Sequence, residues 1–229
     1  MFTDAHLHIS NAGFGVGYRD ISEAGLLFCN ASRPSDWIPL EELMQSDKRV
    51  VPFFGTHPWY SDEYDGEDVL VKILEKYPEA NVGEIGLDGT RSGHDALKIF
   101  EEQLDVASRM NRIASIHMVR STDDVLSALK GCDIRTIIHS YDAPAGFVNA
   151  FVQRGCCLSI SPRLFKKPIE KVRDIINSIP KDRLLLESDH CDGVMDMHEH
   201  ICKVASVLGM DVFELSDIVS KNARDILKA

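Results

Sequence analysis

Phe2-Thr3-Asp4-Ala5-His6-Leu7-His8-Ile9 alternates polar and apolar side chains with a period of two, the signature of a β-strand. Asp4, His6 and His8 therefore share a face, and successive residues on that face lie roughly 7 Å apart at their Cα atoms. Two imidazoles pointing the same way can grip a divalent metal only if other elements deliver the remaining ligands. Several later strand-like runs of the chain end in a His or a carboxylate.

Working outward, the next runs are Gly25–Asn30 and Val50–Gly55, the latter leading into Thr56-His57-Pro58-Trp59. Asn81–Asp88, Ile113–His117, Arg135–His139, Cys156–Ile160 and Arg183–Asp189 follow. Between them, helical spacing or start and stop signals predict helices near 38–44, 66–77, 96–110, from Thr122, 145–153 and 168–176, then almost to the end. Ser35 is read as the cap of the first of these, and Leu97, Phe100, Leu104 and Ala107 as the buried stripe of the third. The Gly-rich connection Asn11–Gly17 lacks the Lys and helix start of a phosphate-cradling loop and is expected to be a flexible loop over the site. Eight strand runs alternating with helices or loops predict a closed parallel α/β barrel, a (β/α)8 TIM barrel. No internal repeat or linker interrupts 1–229, so one domain is expected.

The composition narrows the function. At 229 residues and 44% hydrophobic content the chain can build one substantial core. With 36 acidic against 25 basic residues the net charge is -11, which excludes a general attraction for nucleic acid or anionic membrane. Any phosphate ligand must be held locally, by metals or a few Arg and Lys. The start of the chain reads as neither a signal peptide nor a membrane span, so a soluble cytoplasmic protein with no membrane association is expected; no protein partner is implied. The six cysteines contain no C-x-x-C pair and read as free thiols.

In such barrels catalytic groups gather where strands end. Taken singly, a His at a strand end is an ordinary hydrogen-bonding residue and Asp189 is a plausible helix cap. Taken together, His6, His8, Glu84, His117, His139 and Asp189 come from five strands that the architecture brings to one rim. They are too many for one tetrahedral metal, so two are expected, with Glu84 bridging them and a shared activated water between. The imidazole content favours Zn, Mn, Ni or Co over Mg. His198-Glu199-His200 puts two imidazoles on different faces of a helix and reads as a solvated face, with His190 nearby.

The motifs Asp4-Ala5-His6-Leu7-His8, Gly55-Thr56-His57-Pro58, Gly83-Glu84-Ile85-Gly86-Leu87-Asp88, Phe100–Leu104, His117, His139 and Leu186-Glu187-Ser188-Asp189 resemble the TatD family of metal-dependent hydrolases along nearly the whole chain. The resemblance implies a TIM barrel with two divalent metals, His6, His8 and Asp189 on one, His117 and His139 on the other, and Glu84 shared. It also implies deoxyribonuclease or phosphodiesterase activity on DNA, a short oligonucleotide or another phosphodiester, commonly from the 3′ end; some members deacylate D-aminoacyl-tRNA. Asp189 would then double as general base, and His57 would contact a substrate phosphate or leaving group. Asp4, Asp88 and Glu187 are expected to orient the histidines or nearby backbone.

The chain departs from the family pattern in its substrate-facing loops. Arg120 stands three residues after His117 rather than two, Ser140-Tyr141-Asp142-Ala143-Pro144 replaces an aromatic-glycine segment, and His190-Cys191 replaces the expected Pro. Arg120 and Tyr141 are the candidate substrate contacts there. An amidohydrolase-like amidase, lactonase or deacylase, and a non-enzymatic metal-binding barrel, are the competing readings.

Overall fold

Each apolar run becomes one strand of an eight-stranded parallel sheet whose order follows the chain. The structure, a computed structural model, describes residues 2–8, 24–91, 93–189 and 197–228; the Asn11–Gly17 loop and His190-Cys191 lie outside the described residues. The elements are β1 (Phe2–His8), β2 (Ala24–Asn30), α1 (Trp37–Ser46), β3 (Val50–Phe54), α2 (Glu67–Lys76), β4 (Asn81–Asp88), α3 (Ala96–Arg109), β5 (Ala114–Val119) and α4 (Thr122–Ala128). They continue with β6 (Thr136–Ile138), α5 (Val148–Val152), β7 (Cys157–Ile160), α6 (Ile169–Ser178), β8 (Leu184–Leu186), α7 (Met197–Leu208) and α8 (Val212–Lys228). Neighbouring strands pair in parallel from β1 through to β8.

The seam between β8 and β1 is held by polar groups. Asp4, fully buried, accepts hydrogen bonds from Ser188 N (2.9 Å) and Ser188 Oγ (2.6 Å), and Asp189 N donates to His6 O at 3.0 Å. Asp4 also accepts from His6 N at 3.3 Å. Its carboxylate therefore orders backbone at the seam. The ladder register shifts between Asp4 and Leu7 and again between Val82 and Ile85, at the residues that bracket His6 and Glu84. Such irregularities re-aim side chains beside functional sites.

Ala5, Phe28, Phe53, Ile113, Ile137, Cys157 and Leu185 pack inside the barrel with Ala223 and Ile226 of α8. Asn222 of α8 donates to Lys181 O and Leu184 O, and Arg135 donates to Ile226 O. Helix α8 thus covers the end where the strands begin, and the strand C-termini are left to form the polar rim. Cys156 packs in the outer core and Cys157 in the inner one, as adjacent residues of a strand must. The five described cysteines are free thiols. No described helix is long and apolar enough to cross a membrane.

Three local expectations are corrected. Leu97 is 49% exposed, and the buried stripe of α3 runs through Ala96, Phe100, Gln103, Leu104 and Ala107; Gln103 uses its amide on both backbone groups of Thr56. Ser35 lies within a 3₁₀ turn, and the Asp36 carboxylate, which accepts from Ser32 N and Arg33 N, organises the entry to α1. His198 is exposed, but His200 is buried, its Nε2 donating to Ile160 O at 2.8 Å. One face of α7 must pack against the barrel, and its helical phase puts His200 there.

Candidate metal centre

The C-terminal strand ends bring five imidazoles within 3.7 Å of the Glu84 carboxylate. On β1, His6 and His8 converge, with Nε2 atoms 3.3 Å apart. The rings of His6 and His139 stack at 3.9 Å between centroids. Glu84 rises from β4 at the centre: its Oε1 lies 2.7 Å from His139 Nε2, 2.8 Å from His117 Nδ1 and 3.5 Å from His57 Nε2. Its Oε2 lies 3.2 Å from His8 Nε2 and 3.7 Å from His6 Nε2. Asp189 Oδ1 is 3.7 Å from His8 Nε2. Gly86 makes this convergence sterically feasible. Its φ is +143° and a Cβ there would meet His117 O at 2.0 Å, so only glycine lets β5 come this close.

The outward ring nitrogens are tied to a second set of groups. His8 Nδ1 lies 3.1 Å from Asn30 O, His139 Nδ1 3.4 Å from Glu187 Oε1, and His117 Nε2 3.3 Å from Asp88 Oδ2. With protons on those outward nitrogens, the inward ones present lone pairs to Glu84 at hydrogen-bond distance. Lone pair against carboxylate is repulsive unless a proton or a cation lies between, so the donor set fits a cation centre. Among the described residues, Glu187 Oε2 is buried with no hydrogen-bond partner. Three triplets among the described residues have ligand atoms close enough to hold an ion: His6, His8 and Asp189; His6, His139 and Glu187; His57, Glu84 and His117.

The electrostatics follow from crowding. Burial, reinforced by the stacked His139, pushes His6 down to about 3. Burial likewise pushes His57 down to about 3, against the pull of Glu84. For His8, burial is outweighed by Glu84 and Asp189, and for His139 by Glu84 and Glu187, so both are raised. Glu84 is buried yet held well below the usual carboxylate range by His57, His139 and His117 around it. In Asp88, burial is overcome by hydrogen bonds from Thr90, Trp59 and His117, and the carboxyl stays ionised.

His57 differs from the other rings. Trp59 N–H donates to its Nδ1 at 3.1 Å, so in the neutral ring the proton sits on Nε2, facing Glu84. It offers the centre a hydrogen bond rather than a lone pair. Of the remaining candidates, Glu187 accepts from Ser140 N at 2.7 Å as well as facing His139, and so spans two strand ends. Tyr141 is buried in the core, its hydroxyl donating to Pro144 O, so its ring does not join the polar cluster. Arg120 is exposed beyond β5, with no bond to the cluster among the described residues. Arg120, Ser140 and Asp189 all have φ near +50°, each at the point where the chain leaves a strand.

Sequence reasoning missed Ser115, Asn30, Trp59 and Arg163. Ser115 Oγ lies 3.0 Å from His6 Nδ1 and shares a face of β5 with His117, so period-two spacing carried that signal. Trp59 Nε1 donates to Asp88 at 2.8 Å. Arg163 Nε lies 3.2 Å from Asp189 Oδ2, a contact made only by the return of the chain after β7.

Comparison with known proteins agrees with this fold. The family described as TatD related DNase matches residues 3–228. The uncharacterized metal-dependent hydrolase YabD of Bacillus subtilis is 25% identical over 204 residues, 82% of this chain and 80% of the relative. A 3'-5' ssDNA/RNA exonuclease TatD of Erwinia tasmaniensis is 25% identical over 144 residues, 59% of this chain and 56% of the relative. The crystal structure of the Escherichia coli TatD homologue YjjV superposes with a TM-score of 0.83 at 22% identity, covering 100% of this chain and 98% of that one. An eight-stranded parallel barrel with a His- and carboxylate-lined rim, matched from end to end by one family, places this chain in the TatD family of metal-dependent hydrolases.

Proposed function

We propose that the chain is a cytoplasmic two-metal phosphodiesterase, a single hydrolase domain acting on single-stranded nucleic acid or a short oligonucleotide. His6, His8 and Asp189 would hold one cation, His117 and His139 the other, and Glu84 would be shared. The observation that carries this is the division of the Glu84 carboxylate, with Oε1 against His139 and His117 and Oε2 against His8 and His6. One oxygen for each histidine pair is the arrangement of a bridging ligand.

Cations bound there would supply an acidified water and neutralise charge at the attacked phosphorus. The residues do the rest. Asp189 takes the proton of the attacking water and returns it to the leaving oxygen. His57, neutral and protonated on Nε2, donates to a phosphoryl oxygen. Asp88, Glu187, Asn30 and Ser115 hold the rings in orientation. The four imidazoles assigned to the cations, those of His6, His8, His117 and His139, favour Zn, Mn, Ni or Co over Mg. The exonuclease name of the Erwinia relative supports the nucleic-acid class, and a net charge of -11 supports strand ends over long duplex, whose binding draws on many basic contacts. Free thiols fit the reducing cytoplasm.

The test is a set of 3′- and 5′-labelled single strands offered to EDTA-stripped protein reloaded with Mn, Zn, Ni, Co or Mg, beside a panel of amides and lactones. Cleavage of the strands only with metal is expected. Asp189→Asn should fold normally and lose about 10²-fold or more in rate. Full activity in that variant refutes the mechanism; exclusive turnover of amides or lactones replaces it with the amidohydrolase-like reading, and metal binding without turnover of any substrate leaves the non-enzymatic one.

A further inference from the structure

We propose that Arg163 is the residue that receives the substrate's anionic group beside the metal centre, and that Lys166 and Lys167 extend this contact into a track for the adjoining phosphates of a single strand. The proposal rests on the phosphodiesterase reading above and names how that site holds its substrate.

Three observations converge. First, Arg163 has 66% of its side chain exposed, yet its Nε reaches Asp189 Oδ2 at 3.2 Å, a carboxylate only 6% exposed. Its guanidinium therefore spans from solvent to the cage. Second, Asp189 is its only partner among the described residues, and Asp189 is one of the groups that can hold an ion. Once that carboxylate serves a cation, its charge is shared and the guanidinium faces net positive charge. An anion resting on both relieves this, and the planar fork of Arg suits the two non-bridging oxygens of a phosphodiester. Third, the chain beyond β7 is locally basic in an acidic protein. Residues 162–173 hold Arg163, Lys166, Lys167, Lys171 and Arg173 against Glu170 and no other carboxylate.

Geometry gives the track its direction. Arg163 and Lys166 lie in the 3₁₀ segment Pro162–Lys166, where side chains three apart eclipse, about 6 Å apart along the axis. Both are exposed while Leu164 between them is buried, so the two cations share the outer face. Lys167 follows, paired to Asp142 at 3.0 Å beside a cavity of about 360 Å³ that Lys171 also lines. An exposed pair of this kind exchanges readily for a phosphate.

The experiment measures equilibrium binding of a fluorescein-labelled phosphorothioate single strand by anisotropy across a salt series, with EDTA and with Mn. Arg163→Gln, Arg163→Lys and the double variant Lys166→Gln/Lys167→Gln are compared with the unsubstituted protein. Arg163→Gln should weaken binding with Mn about 10-fold, with Arg163→Lys intermediate because it keeps charge but loses the fork. The double variant should reduce the slope of log affinity against log salt by about 1.4, at roughly 0.7 per single-strand phosphate contact. Unchanged affinity and salt slope in all variants, with strand cleavage intact, overturn this proposal alone. Failure of the unsubstituted protein to bind or cleave any strand overturns it together with the phosphodiesterase reading.

Discussion

Replacing Asp4 by Ala should loosen the barrel at its last seam. The carboxylate accepts from Ser188 N at 2.9 Å and Ser188 Oγ at 2.6 Å in a fully buried setting. Hydrogen bonds to a charged acceptor are worth about 1.5–3 kcal/mol each. Two would sum to about 3–6 kcal/mol, and the stranded Ser188 N–H adds a desolvation cost while relaxation returns part of it. A loss of about 3–5 kcal/mol is expected, a large part of the ~5–15 kcal/mol that stabilises a typical domain. Ser188→Ala removes only the hydroxyl contact and should cost about 1.5–3 kcal/mol. The assay is urea unfolding followed by circular dichroism in EDTA, run as a double-mutant cycle, in which contacting residues should show about 1–3 kcal/mol of coupling. Because Asp189 N donates to His6 O across the same seam, Asp4→Ala should also weaken metal binding. A cost below about 1 kcal/mol, or strict additivity with Ser188→Ala, would refute the idea that this carboxylate closes the barrel.

Gly86→Ala should displace His117, whose carbonyl oxygen a Cβ would meet at 2.0 Å, and isothermal titration should show at least one metal equivalent lost along with several kcal/mol of stability. His200, which burial holds below its ordinary 6.5, refuses a proton that the unfolded chain accepts. Its contribution is therefore full above about pH 6.5 and is lost as the pH falls below it, so His200→Gln should flatten that part of a stability–pH profile; an unchanged slope would contradict its burial. Adding Mn to stripped protein at 100 times its dissociation constant should raise stability by about 2.7 kcal/mol, read as a higher Tm that EDTA reverses. A Tm indifferent to both additions would speak against a cation cage.

Much of the architecture was legible one strand at a time. The period of two in β1 put His6 and His8 on one face, and apolar runs ending in Glu84-x-x-x-Asp88, His117, His139 and Asp189 marked the rim, because strand patterning is local and barrel strands end together. Asp4 shows where that logic stops: it shares the histidines' face in the pattern, but a register shift turns its carboxylate to the seam with Ser188, 184 residues away. His200, Arg163 and Tyr141 stop it too. A helix's phase against the barrel buries His200, the return of the chain after β7 brings Arg163 to Asp189, and packing against Phe151 draws Tyr141 inward. Periodicity along a chain determines which residues can share a face. Only the closed sheet, by fixing which distant strands and loops become neighbours, decides what each of those side chains meets.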